Sequence, residues 1–201
     1  MQMRSNLLDA LTPVPLEEII KNNNFLSSNN RFGRYTFYKG WFIHKKLFGG
    51  YKGIKAIDVC WVYPIKTNHS INFIPTGTTF HITVKTRQFE TAFSNEESMS
   101  RRSNLKPPTA DYVLRKLSLL TPWAFFGYSA YLHDCWNTNR ELFLNAVDAR
   151  IKAINLAIEN KNLIIKEDGS TVVKKPFKLP EITMRFVQDK KGKAKRVYSL
   201  N

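Results

Sequence analysis

Residues 79–86, TFHITVKT, constrain the fold more than any other stretch of this chain. They alternate without a break. Phe80, Ile82 and Val84 fall on one side of an extended backbone, and His81, Thr83 and Lys85 on the other. Such a strand needs an apolar layer beneath one face, and its polar face is expected to meet water. The next segments predict helices. Residues 87–95, RQFETAFSN, bring Phe89, Ala92 and Phe93 to one side of a short helix. Residues 96–108 form a polar connection that contains Arg101 and Arg102. Thr109 then stands as an N-cap after Pro107 and Pro108, with Asp111 in the first turn of a second helix over about 109–120. The order is strand, short helix, polar loop, capped helix.

The flanking segments predict an α+β chain. Residues 4–12 and 15–22 suggest two short helices split by Pro13 and Pro15. The polar run at 22–31 reads as a loop. Residues 35–43, YTFYKGWFI, and 54–63, IKAIDVCWVY, read as strands around a glycine-rich turn at 48–53. A short strand at 71–74 precedes a Pro75-Thr-Gly77 turn. Beyond the capped helix, Pro122 opens a helix over 122–136. Thr138 and Glu141 form a capping box for another over 138–160, whose stripe is Phe143, Val147, Ile151, Ile154 and Ile158. The end of the chain returns to strands, with a hairpin around Asp168-Gly169 and another around 189–192. In the second hairpin Ile182, Met184 and Phe186 are expected to point inward. The expected organisation is an N-terminal extension with an antiparallel sheet (1–78), a strand-and-helix core (79–160) and a basic C-terminal hairpin region (161–201), packed as one unit.

Charge narrows the function. The chain has 201 residues, 31 Lys+Arg against 16 Asp+Glu, and a net charge of +15. At 43 % hydrophobic residues it is a folding chain, not a disordered basic tail. Residues 1–78 hold 10 basic and 4 acidic side chains, net +6. Residues 79–108 hold 5 and 3, net +2. Residues 109–160 hold 5 of each, and 161–201 hold 11 and 4, net +7. Neutral helices with basic flanks suit a nucleic-acid binder whose strands and loops touch phosphate. Lys190, Lys191, Lys193, Lys195 and Arg196 are the densest basic patch. They read equally as phosphate or minor-groove contacts and as the lysines that guard an edge strand.

Other classes lose ground. Two cysteines, Cys60 and Cys135, allow no disulfide scaffold or Cys-rich zinc module, and both sit among apolar neighbours as reduced core thiols. Nothing at the start marks export. The 16 uncharged residues 117–132 include Pro122 and Gly127 and are short for a membrane span. A cytoplasmic protein without membrane attachment is expected. His44, His69, His81 and His133 form no metal-ligand spacing, and the one His–acid neighbour pair, His133-Asp134, diverges on a helix. No catalytic residue, metal or cofactor is expected, and the chain does not read as an enzyme.

The strand, short helix, loop and capped helix over 79–121 resemble the ribbon-helix-helix DNA-binding fold, in the extended form found among regulators of conjugative plasmids and integrative elements. The connection at 96–108 is longer than the tight turn of small family members. The resemblance implies a homodimer whose paired strands lie in the major groove of double-stranded DNA. His81, Thr83 and Lys85 would then read base edges, and Arg87 would reach base or phosphate. Arg101, Arg102, and the helix start at Thr109 and Ala110 would meet phosphate, as would the C-terminal patch. It implies transcription regulation, with RNA polymerase or another regulator as a further partner.

Two other functions fit parts of the chain. Tyr35, Phe37, Tyr38, Trp41, Phe42, Tyr51 and Trp61 interleave with Arg34, Lys39, Lys45, Lys46, Lys52 and Lys55. Aromatic and basic residues alternating on a sheet can hold single-stranded DNA or RNA. An interaction or inhibitor protein without nucleic acid is the second alternative.

Overall fold

Aromatic residues after position 31 build the first of two four-stranded sheets. The computed structural model describes residues 7–22, 24–28, 31–32, 34–71, 74–88, 90–94, 110–166, 171–189 and 191–201. For 66–71, 74–80, 90–94 and 110–111 it describes the backbone alone. Helices α1 (Leu7–Leu11) and α2 (Leu16–Asn22) flank Pro13 and Pro15 as predicted. The expected loop after them contains a 3-10 turn, Asn24–Ser27, that buries Phe25.

The first sheet runs in the order β1 (Arg31–Phe32), β2 (Tyr35–Tyr38), β3 (Trp41–Lys45) and β4 (Tyr51–Lys55). The single strand expected at 35–43 is therefore a hairpin. Lys39 and Gly40 turn it with φ of 44° and 83°, the positive pair that matches strand twist in a two-residue turn. Gly40 is needed twice, since a Cβ there would lie 2.3 Å from the carbonyl oxygen of Asp9. Both faces of the sheet are covered. Phe32, Phe37, Phe42 and Ile54 join the main core, while Tyr38 and Ile43 pack with Ile19 and Phe25 in a second cluster.

A 3-10 turn, Ala56–Asp58, splits the strand expected at 54–63. Beyond it lie β5 (Val59–Ile71), β6 (Ile74–Thr86) and β7 (Glu90–Ser94). The short helix expected at 87–95 is thus β7, which pairs His81 with Ser94 through Lys85 with Glu90. A lone turn or two of helix is marginal in water, whereas an open strand edge offers backbone partners along its whole length. α3 (Ala110–Leu120) forms where the capped helix was predicted. The helix expected at 122–136 begins later. Residues 122–124 turn, β8 (Phe125–Phe126) pairs parallel to Trp61 and Val62 of β5, and Gly127 at φ 86° breaks the chain. The order of the second sheet is β7-β6-β5-β8.

α4 (Ala130–Thr138) starts at Ser129, whose hydroxyl accepts from the Leu132 N–H at 3.3 Å. α5 (Arg140–Glu159) is capped by Asn139, whose side chain accepts from the Leu142 N–H at 3.4 Å. The expected cap, Thr138, instead donates to the Asp134 carbonyl at 2.7 Å. Phe143, Val147 and Ile154 of the predicted stripe are buried. The C-terminal hairpins form as predicted: β9 (Leu163–Ile165) with β10 (Thr171–Val173), and β11 (Ile182–Gln188) with β12 (Ala194–Leu200). In the latter, Ile182 is buried but Phe186 is 64 % exposed, because the outer half of the hairpin runs past the core.

The expected ribbon strand is an interior strand here. β6 is hydrogen-bonded to β5 on one edge and to β7 on the other, both within one chain. From 81 to 85 neither edge is left for a second copy. The α+β class holds, while the strand-helix order of a ribbon-helix-helix core does not recur at 79–95.

Candidate nucleic-acid interface

The predicted base readers sit in the fold's interior. Trp61 stands opposite Lys85 in the ladder, so both lie on one face of the sheet. Trp136 of α4 and Phe143 of α5 pack on Trp61, with ring centres 6.4 and 5.9 Å away. Helices therefore cover the polar side of the strand. Thr83 is 3 % exposed and Lys85 only 8 %. The Lys85 ammonium lies 5.9 Å from the Trp61 ring centre and 5.6 Å from that of Trp136, and cation–π attraction replaces part of its lost hydration. Ile82 and Val84, on the opposite face, are equally buried. His81 is half-buried.

Arg87 is held by acids. Its guanidinium donates to Asp148 through both terminal nitrogens, one at 3.4 Å, and its Nε lies 3.8 Å from Asp58. Arg140 donates to the Arg87 carbonyl at 2.9 Å and stacks 4.6 Å from the Trp136 ring centre. Burial raises the Asp58 carboxyl above its ordinary value, against the pull of Arg87. Burial likewise pushes the Cys60 thiol up to about 12 and Cys135 to about 11, so neither ionises near neutral pH. Sequence reasoning missed a further internal cation. Arg150 on α5 donates to the carbonyls of Pro122, Ala124 and Pro180, each at 3.4 Å, with its head 4.5 Å from the Phe125 ring centre. These four cations are pieces of the frame.

The exposed cations stand elsewhere. On the β3–β4 hairpin, Lys45, Lys46, Lys52 and Lys55 are all exposed, with Leu47 and Phe48 between them at the tip. His44 faces Lys52 across the ladder. Its basicity is lowered, first by burial and then by the positive charges of Arg34, Lys52 and Lys46. On the β11–β12 hairpin, Lys191, Lys193 and Lys195 are exposed. The Asp189 carboxylate accepts from the N–H groups of Lys191 and Lys193 at 2.8 and 2.9 Å, which fixes the turn that presents them. Arg196 differs, because it pairs with Asp134 of α4 at 3.1 Å. Tyr198 donates to the same carboxylate, and the two bonds hold Asp134 below the usual carboxylate range. Arg196 thus helps dock the hairpin, with about half of its side chain still open to solvent. Arg101, Arg102, Thr109 and Lys190 lie outside the described residues, and Ala110 opens α3.

A third element is the outer part of the β5–β6 hairpin. β7 pairs no further than His81, and β8 pairs only Trp61 and Val62. From Lys66 opposite Phe80 to Ile71 opposite Ile74, the two strands pair only with each other among the described residues. Six residues on the β5 side, at about 3.3 Å each, carry this pair of strands roughly 20 Å beyond its last neighbour among the described residues.

The proposed aromatic platform closes instead. Tyr35, Phe37, Tyr38, Phe42 and Trp61 are all buried, and only Trp41 and Tyr51 are half-exposed. Among the described residues, no cluster of His, Cys, Asp and Glu is placed to hold a metal ion, and no helix is long and apolar enough to cross a membrane. No protein-family model matches the chain, and neither a curated protein nor a solved structure matches it.

Proposed function

We propose that this chain binds double-stranded DNA and acts as a transcription regulator, gripping phosphates with its basic hairpins and entering the major groove with the β5–β6 ribbon. The observation that carries this reading is the segregation of charge. Lysines cluster, exposed, on two hairpins, while the cations at the end of β6 are drawn into the frame. An exposed cluster of cations attracts a polyanion and releases its counterions on contact.

The ribbon supports duplex over single strand. The major groove admits a two-stranded β-ribbon, and among the described residues the outer part of this hairpin pairs with no third strand. Both of its strands come from one chain, so a second copy is not needed to complete it. A dimer would set two ribbons on half-sites about 34 Å apart. Apart from Phe48 at the β3–β4 tip, the rings at 35–63 are buried or half-buried, which leaves little continuous aromatic surface for stacking unpaired bases.

The test is binding of the full chain to random duplex, oligo(dT) and RNA across a salt series. Duplex is expected to bind best, with log affinity falling linearly against log salt. Preference for either single strand, or no salt-dependent binding at all, contradicts the reading.

A further inference from the structure

The most exposed large apolar side chains of the described residues are adjacent. Leu47 is 90 % and Phe48 97 % exposed, at the tip of the β3–β4 hairpin. The tip has a defined turn. Lys46 N–H donates to the Gly50 carbonyl at 3.0 Å, and Gly49 N–H to the Lys46 carbonyl at 3.3 Å. Gly49 and Gly50 take φ of 91° and 72°, a conformation costly for other residues, although a Cβ on either would meet nothing within 4 Å. Glycine is therefore required here by backbone shape and not by crowding. The resulting turn leaves Leu47 and Phe48 standing out from the sheet, with Lys45, Lys46 and Lys52 just behind them.

We propose that Leu47 and Phe48 form a wedge that enters a base step of bound DNA, while the lysines behind them take the flanking phosphates. The wedge rests on the proposal that the chain binds duplex DNA. The collar of cations selects an anionic partner. Two apolar side chains match the size of one unstacked step, where Phe and Leu wedges kink a duplex and phosphates lie on both sides. An anionic bilayer shares the charge, but stable anchoring calls for more apolar surface than two residues offer.

The full chain and a Leu47→Ala, Phe48→Ala variant would be titrated with duplexes in which 2-aminopurine is stepped along the sequence. Both would also be mixed with phosphatidylserine–phosphatidylcholine vesicles. Wild type should raise the fluorescence of 2-aminopurine at one step. The variant should bind about ten-fold more weakly, with the same salt slope and no fluorescence rise. If wild type binds duplex and the variant matches it in affinity and fluorescence, the wedge is wrong while DNA binding stands. Vesicle capture that disappears in the variant, with DNA binding unaltered, assigns the tip to lipid and overturns the wedge. If wild type binds no duplex at low salt, the wedge falls together with the DNA-binding proposal beneath it.

Discussion

Lysine and arginine occupy two kinds of place in this molecule, and the contrast separates structure from function. At the end of β6, Lys85 lies by the rings of Trp61 and Trp136 and Arg87 between two aspartates, while Arg140 of α5 stacks on the same Trp136. On the β3–β4 and β11–β12 hairpins, Lys45, Lys46, Lys191, Lys193 and Lys195 are exposed. A cation that is stacked and paired gives up hydration and staples elements together. One on a hairpin tip keeps its hydration and counterions until a polyanion displaces them. The contrast is open to attack by substitution, and the two regions should respond in opposite ways.

The largest expected effect is on stability, in the interior set. Lys85→Ala should lose about 3 kcal/mol in urea unfolding, because the space between Trp61 and Trp136 is left unfilled. Lys85→Met should lose far less, since a buried cation is commonly replaceable by an apolar side chain of similar length. Equal losses would mean that charge, not packing, is what the site needs. Arg150→Ala should cost about 2 kcal/mol by orphaning the carbonyls of Pro122, Ala124 and Pro180. Arg87→Ala should cost about 1 kcal/mol, since Asp148 is half-exposed and water takes over much of the lost pair.

The hairpins should invert this order. Removing Lys191, Lys193 and Lys195 together should change stability by no more than about 0.5 kcal/mol. The smallest effect sits beside them. His44 has its basicity lowered in the folded chain, so it stays neutral where an unfolded histidine takes up a proton. Its contribution to stability is full above about pH 6.5 and declines as the pH falls below that value. Phosphate brought near Lys46 and Lys52 should offset their share of the shift and leave the larger share, from burial, in place. DNA binding should then raise the His44 titration midpoint, followed by NMR, and affinity should grow modestly from pH 7.5 to 6. An unmoved midpoint would place the β3–β4 hairpin away from the DNA.

Much of the frame was legible in local chemistry. The two N-terminal helices, α3, α5 and both C-terminal hairpins come from prolines, caps, periodicity and turn residues. The failures share one physical cause. Alternation tells which residues share a face but not what covers it, so a polar face at Thr83 and Lys85 looked like a solvent face until Trp136 and Phe143 closed over it. In the same way, aromatic residues near lysines at 35–63 suggested a binding platform, while the first sheet buries rings on both sides. The expected helix at 87–95 lost to a strand because an open edge on β6 was invisible from local sequence. The candidate tip carried a signal of its own. A Leu47-Phe48 pair between two lysines and two glycines is an unusual turn, and its apolar content sets it apart from the polar loops of the chain.

The most direct test of the division between framing and contacting cations is the salt slope of duplex binding, measured for wild type, for Lys85→Met and for the Lys191, Lys193, Lys195 triple alanine variant. Loss of three phosphate contacts should flatten the triple variant's slope of log affinity against log salt by about 2.7, while Lys85→Met keeps the wild-type slope. An unchanged slope in the triple variant, or a flattened one in Lys85→Met, would contradict the account.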